Sequence, residues 1–471
     1  MSGLVFFNTR TRRKESFVPI VAGRAGVYTC GPTVYAPQHL GNLRPYLFAD
    51  LLKRALLADG LRVTHVINIT DVGHLSSDAD AGEDKMERAA ARAGKSAAEI
   101  AAFYTEQWLR DRRRLRCLEA EVYCKATDHI PEQIALAQAL EAKGHTYRIE
   151  DGLYFDTATF PHYAELARLD LAGQNAGARI GDVAGKRNAQ DFALWKFAAP
   201  GVQRQQEWDS PWGRGFPGWH LECSAMSVKY LGTHFDIHTG GVDHVPVHHT
   251  NEIAQSECAF GVHPWVNVWM HNDFLDLGGE KISKSKGHTL VLDDLLERGF
   301  EPLVYRYFFL QAHYRQQQSF SFEEIEAAAT GYRRLLRAAI SVRGAPGDVP
   351  DAERGDVEAL RARFWDAVHD DLNAPRAIAV TWEVARSALS APAQRALLLD
   401  FERWLGLGLD TEVPKEDAPA SDPRIDALVA ERQAARAARD FARADAIRKQ
   451  LADEGVEIED TKEGPKWRRV R

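Results

Sequence analysis

Apolar positions change period several times along the chain, and each change marks an element. Gly26–Cys30 is short and apolar and ends at Gly31-Pro32, the pattern of a buried strand running into a turn. Leu43, Leu47, Phe48, Leu51, Leu52 and Leu56 then recur at helical spacing, and Gly60 stops the helix. Val63–Thr70 is β-branched and apolar and predicts a second strand. Strand, helix and strand of these lengths predict a βαβ unit, so the fold class expected is α/β with a doubly wound, Rossmann-type sheet.

Further along, Ser96 and Glu99 form a capping-box pattern ahead of Ile100, Phe103 and Tyr104. A helix is expected from about Asp128 to Lys143, then a hairpin of Tyr147–Ile149 and Leu153–Phe155 turning at Asp151-Gly152. Residues 171–190 read as a loop, and strand-like runs return at Phe235–His238 and Val266–Met270. Ser321 and Glu324 make another capping pattern, and helix-forming sequence continues to Leu409. Arg343–Pro350 and Asp410–Pro423 are the linker candidates. The last segment reads as two helices, Ile425–Arg439 and Phe441–Glu454, and a small hairpin, Val456–Glu459 with Pro465–Arg469.

Composition narrows the class. With 45% hydrophobic and 27% charged residues the 471-residue chain has a globular profile and room for several folding units. No run of eighteen apolar residues suggests a membrane span. The N-terminus, apolar at Leu4–Phe7 and basic from Arg10 to Lys14, has the wrong order for a signal peptide. Five sparse cysteines do not read as a disulfide framework and fit buried thiols or metal ligands in a reducing cytoplasm. A net charge of −8 argues against a chain wrapped in nucleic acid but leaves room for one basic face.

Three constellations carry chemistry. His39-Leu40-Gly41-Asn42 sits where the first strand meets its helix, a junction that offers free amides and partial positive charge to phosphate. Alone it reads more readily as a turn with a capping histidine. Lys281-Ile282-Ser283-Lys284-Ser285-Lys286, after Gly278-Gly279, suits a mobile clamp over polyphosphate, or else a solvated basic loop. The third is a candidate metal set: Cys30, Cys223, His248 and Glu252. The i, i+4 spacing puts His248 and Glu252 on one face of a helix begun near Pro246. Two thiolates, an imidazole and a carboxylate suit zinc, but spacing leaves open whether the two remote cysteines converge.

The histidine tetrad followed about 240 residues later by the Lys-Ile-Ser-Lys-Ser loop resembles the signature pair of class I aminoacyl-tRNA synthetases. Cys30-Gly31-Pro32-Thr33-Val34-Tyr35, Gly218–Met226, His238–Asp243 with His248-His249, and the Trp467-Arg468-Arg469 ending are similar to the cysteinyl-tRNA synthetase family in particular. That resemblance implies a Rossmann-type catalytic domain with an insertion, then a helical bundle and a small C-terminal α+β module. The divisions implied are 1–125 and 191–280 for the catalytic halves, 126–190 for the insertion and 281–320 for a connecting region with the lysine loop. The bundle takes 321–409 and the anticodon-contacting module 424–471.

The resemblance further implies activation of L-cysteine by ATP with magnesium, and transfer to the terminal adenosine of tRNA(Cys). His39, Lys281 and Lys284 would be catalytic. Gly41, Asn42, Ser283 and Ser285 would join them in binding ATP. One zinc ion per chain would be held by Cys30, Cys223, His248 and Glu252. Asp243 would bind the substrate ammonium, Trp219 and His238 would wall the cysteine pocket, and Thr70 would lie near it. A metal that binds thiolate has a clear use here, because hydrophobic pockets separate such small side chains by only about 1–3 kcal/mol. Lys462, Lys466, Arg468, Arg469 and Arg471 around Trp467 are the expected tRNA contacts.

The chain departs from the family pattern at Asn42, where histidine is usual, at Thr250, and after Thr70. There Asp71–Leu75 is followed by Asp78, Asp80, Glu83 and Asp84, read as an acidic lead-in to a helix. Two other readings stay open: a paralogous ligase joining activated cysteine to an amino sugar, and a non-catalytic tRNA-binding paralogue with structural zinc. The first needs no tRNA-reading end, and the second is disfavoured by His39 and Lys284.

Overall fold

The computed structural model describes residues 3–73, 84–168, 183–198, 201, 204–277, 289–414, 423–454, 456–461 and 464–469. It divides into two compact units, Met1–Asp410 and Thr411–Arg471.

The larger unit is built on a five-stranded parallel sheet. After a short antiparallel pair, β1 (Val5–Asn8) and β2 (Arg13–Ser16), the chain enters β3 (Arg24–Thr29), α1 (Leu40–Ala58) and β4 (Arg62–Ile69), the βαβ unit expected from the periodicity. Helices α2 (Lys85–Ala93) and α3 (Ala97–Arg114) lead to β5 (Val122–Lys125) and α4 (Ile130–Ala142). The Ser96–Glu99 box forms in both directions at the start of α3.

Strands β6 (Thr146–Ile149), β7 (Gly152–Phe155), β8 (Phe192–Phe197) and β9 (Gly215–Pro217) make a separate antiparallel sheet. The sequence marked only its first hairpin. β9 is too short to show a period, and β8 is buried along most of its length, so it does not alternate. The chain then returns through α5 (Trp219–Leu231), β10 (Phe235–Gly241), α6 (Thr250–Phe260) and β11 (Val266–Asn272).

The order across the main sheet is β11-β10-β3-β4-β5. The chain therefore grows away from β3 in one direction and resumes on its other side with β10. The gap between the C-terminal ends of β3 and β10 is the switch point at which such sheets bind ligands. Successive side chains alternate between two cores. Val27, Ile67, Ile237 and Val268 face one with α1 and the later helices. Tyr28, Val66 and Trp269 face the other with α4, α5 and the separate antiparallel sheet.

Helices at Phe322–Arg343, Arg354–His369, Ala374–Arg386 and Ala391–Leu405 belong to the same compact unit. Buried polar groups join them to α1. Arg306, 1% exposed, donates to Asp50 Oδ2 at 2.5 Å, to the Leu115 carbonyl at 3.0 Å and to the Leu405 carbonyl at 2.7 Å. Asp371 accepts from the Phe7 amide, the Tyr314 hydroxyl and Arg315, while its own amide bonds the Val5 carbonyl.

The smaller unit has helices at Pro423–Ala437 and Phe441–Asp453 and a hairpin of Val456–Thr461 and Gly464–Arg469. Ile425, Val429, Ile447, Leu451 and Val456 form its core. Trp467 packs against that core and donates to Asp426 Oδ1 at 2.7 Å, so its indole has a structural contact as well as any RNA role. Arg432 is buried rather than on a solvated helix face. No described helix is long and apolar enough to cross a membrane.

Candidate active site and metal centre

A cleft of about 780 Å³ opens at the switch point. Cys30, His39, Gly41 and Asn42 come to it from the β3–α1 connection, Trp219 from the start of α5, and Asp243 from the turn after β10. Thr70, His238, Cys223, His248 and Glu252 are all buried and stand behind that wall. The Lys281–Lys286 loop, with Ser283 and Ser285, lies outside the described residues, as do His74–Glu83, Lys462 and Arg471.

His39 is the N-cap of α1, and its Nδ1 accepts from the Asn42 amide at 3.2 Å. With Nδ1 accepting, the proton of the neutral ring is on Nε2, free to donate. Burial lowers the His39 pKa and favours that neutral form. The tetrad is thus a cap and a cleft-lining donor at once. Gly41 leaves room for the imidazole, since a Cβ there would lie 3.1 Å from its ring. Pro45 removes the amide that would otherwise bond the Gly41 carbonyl, opening the first turn of α1 at the cleft wall. Asn42 donates to Gln38 Oε1 at 3.3 Å, a neutral contact where the family pattern carries an ionisable ring.

Three of the four sequence-predicted ligands, Cys30, His248 and Glu252, come together, with His249 rather than Cys223 as the fourth group. Cys30, His248, His249 and Glu252 offer ligand atoms all within 4.8 Å of one another, all buried. Cys223 is buried nearby but lies outside that set; its thiol interacts electrostatically with Cys30, Glu252 and His248. Gly31 makes this possible: its amide donates to Asn68 Oδ1 at 2.7 Å, and a Cβ would fall 1.5 Å from the Asn68 carbonyl oxygen. His248 Nε2 meets Glu252 Oε1 at 2.8 Å, the i, i+4 pair foreseen, although Val245–His249 winds as a π-helical turn before α6.

The electrostatics are those of donors held close without solvent. Burial alone would raise Glu252, but His238 and His248 hold it at about 2. Burial would lower His248, yet Glu252 and Cys223 raise it to about 10. Cys223 is held below the ordinary thiol value against its burial by Cys30 and His248. Cys30 is pushed up by burial and by Cys223. These shifts favour the charged forms of Cys223 and Glu252 in a buried pocket, a donor chemistry that a soft divalent cation satisfies.

His249 was not singled out as a ligand from sequence. Its ring lies 3.2 Å from Cys30 Sγ through Nε2 and 2.7 Å from His271 Nε2 through Nδ1. The His248-His249 doublet was the available signal, but i, i+4 spacing favoured His248 alone. His238 does not wall the cleft; it bonds Glu252 Oε2 at 2.9 Å and stacks on Trp269. Trp219 does line the cleft and stacks on His248 at 4.3 Å. Thr70 accepts from Asn68 Nδ2 at 3.1 Å, and its backbone is tied to Pro32 and Val34. Asp243 is exposed into the cleft.

Residues 16–330 match a family described as tRNA synthetases class I (C) catalytic domain, and 418–468 match a cysteinyl-tRNA ligase anticodon binding domain. A cysteine–tRNA ligase 1 of Burkholderia lata is 51% identical over 463 residues, covering 98% of this chain and 96% of that protein. The cysteine–tRNA ligase of Novosphingobium aromaticivorans is 45% identical, covering 97% and 95%. That of Thermus thermophilus is 42% identical over the full length of both. Among solved structures, the fold is similar to Mycobacterium tuberculosis methionyl-tRNA synthetase bound by methionyl-adenylate, with a TM-score of 0.57 at 17% identity over 85% of this chain and 95% of that one. An Agrobacterium radiobacter LeuRS–tRNA–LeuAMS complex gives 0.57 at 13% identity, covering 83% and 84%.

Proposed function

Because the chain belongs to the cysteinyl-tRNA synthetase family of class I synthetases, we propose that it activates L-cysteine with ATP and transfers it to the terminal adenosine of tRNA(Cys). The cysteine carboxylate attacks the α-phosphorus of ATP, pyrophosphate leaves, and a terminal ribose hydroxyl of the tRNA then takes the acyl group and releases AMP. The work of the protein is positioning and charge stabilisation. His39 donates from Nε2 to phosphate as charge grows, with Gly41 and Asn42 holding the first turn of α1 against the nucleotide. Lys281 and Lys284, with Ser283 and Ser285, close over the polyphosphate and its magnesium.

The observation that carries the choice of amino acid is the buried donor set beside the cleft. Cys30, Cys223, His248 and Glu252 are the residues we assign to zinc, with His249 in contact and His238 orienting Glu252. Zinc bound there supplies affinity for a thiolate that a serine hydroxyl or alanine methyl cannot match. Asp243 takes the substrate ammonium and Trp219 the apolar side of the pocket, while Thr70 braces the backbone behind it. We place the enzyme in the cytoplasm, in keeping with five free cysteines. The match at 418–468 supports tRNA over an amino-sugar acceptor.

Cysteine-dependent pyrophosphate exchange, run beside serine and alanine with zinc measured in the same sample, tests this reading. Exchange with cysteine alone and about one zinc per chain is expected. Equal exchange with serine, or full cysteine selectivity without metal, would overturn the zinc assignment.

A further inference from the structure

An isolated exposed apolar ring on a protein surface needs no explanation, but Phe274 is not on an open surface. It follows β11 and lines the same cleft as His39, Gly41 and Asn42 while remaining 51% exposed. The backbone of Phe274 and of Asp273 before it is tied at two points each. The Asp273 amide donates to the Tyr314 carbonyl at 2.8 Å, and the Phe274 amide to Asp273 Oδ1 at 2.7 Å. The Phe274 carbonyl accepts from the Gln318 amide at 3.1 Å, and the Asp273 carbonyl from Arg44 Nε at 2.9 Å. Arg44 is itself buried, and its other nitrogens donate to Gln318 Oε1 at 2.5 Å and the Gln316 carbonyl at 2.8 Å. Since Arg44 lies on α1, two residues after the tetrad, the helix that presents His39 to phosphate also fixes where the ring stands.

A flat apolar ring on a fixed backbone, lining the same open cleft as the N-terminal turn of α1, matches a nucleobase attached to a phosphate held at that turn. Aromatic faces bind bases through stacking that does not depend on base-edge hydrogen bonds. We propose that Phe274 is a stacking platform for a purine base entering the cleft, a substrate-binding role resting on the reaction assigned above. Two substrates bring a purine: ATP, and the tRNA through its terminal adenosine.

The test uses the full-length zinc-loaded protein with Phe274→Ala, Phe274→Leu and Phe274→Tyr. One arm measures the KM for ATP in cysteine-dependent pyrophosphate exchange. The other measures single-turnover transfer from preformed adenylate against tRNA concentration. Phe274→Ala and Phe274→Leu are expected to weaken one nucleotide substrate roughly tenfold, with Phe274→Tyr close to wild type and with unchanged zinc content and melting temperature. Weakening in the first arm assigns the base to ATP, and weakening in the second arm assigns it to tRNA. Phe274→Leu matching wild type in both arms, or no change in Phe274→Ala, overturns the proposal. Absence of exchange in the wild-type protein would instead overturn the reaction on which the proposal rests.

Discussion

Gly31 shows how narrowly the candidate metal centre is specified at single positions. A methyl group there would meet the Asn68 carbonyl oxygen at 1.5 Å, and that atom belongs to backbone that cannot swing aside. Gly31→Ala is expected to destabilise the protein by about 3 kcal/mol or more and to displace Cys30; a lowered melting temperature with reduced zinc would be the readout. Cys223→Ser is expected to lose zinc and weaken cysteine binding by at least tenfold while the fold persists, measured by metal analysis and cysteine titration. Normal cysteine affinity in the zinc-free variant would remove the metal from substrate selection. The four proposed ligands were readable as chemistry in the sequence because thiol, imidazole and carboxylate are distinctive residue types. What was hidden was neighbourhood. His249 reaches Cys30 only because Gly240 leaves space: a Cβ on Gly240 would sit 2.6 Å from the His249 ring. His238 faces Glu252 rather than the cleft because strand alternation buries it.

At the scale of elements, α1 is the beam between cleft and bundle. Its Asp50 would be raised by burial, but Arg306, Arg54 and the Leu118 amide hold it at about 2, below the ordinary 3.8. A folded-state pKa depressed in this way contributes stability above the unfolded value and loses it as pH falls from about 4 to about 2. The contribution at neutral pH is on the order of 2 kcal/mol. Asp50→Asn should therefore be less stable at pH 7 and show a flatter loss of stability across that acid range in chemical denaturation. The longer helices and four of the five parallel strands were legible because their apolar patterns are sustained and helix ends are marked, a stop by Gly60 and a start by the Ser96 box; the four-residue β5 was not. The four-stranded insertion sheet was half legible, since β8 shows no alternation and β9 has three residues. The π-helical turn at Val245–His249 leaves no trace in spacing, because the i, i+4 contact of His248 with Glu252 survives it.

For the whole molecule, the two units imply separable tasks. A chain ending at Asp410 retains both cores of the larger unit. It is expected to keep cysteine-dependent pyrophosphate exchange within a fewfold of wild type while tRNA charging falls at least tenfold. Equal loss of both activities would assign the smaller unit to the catalytic machinery. The Asp371 contact adds a matter of timing. The Phe7 amide and the Asp371 carboxylate are separated by 364 residues, and Asp371 and Leu372 both hold positive φ to make the grip. During synthesis β1 leaves the ribosome 364 residues before its anchor. At 5–20 residues per second the interval is roughly 20–70 s. Until then the core side chains Leu4 and Phe6 have β2 for cover and, once it is made, β11, to which Asn8 and Thr9 are bonded. The last hold on β1 is thus set late in synthesis, and its closure reports that residue 371 has arrived.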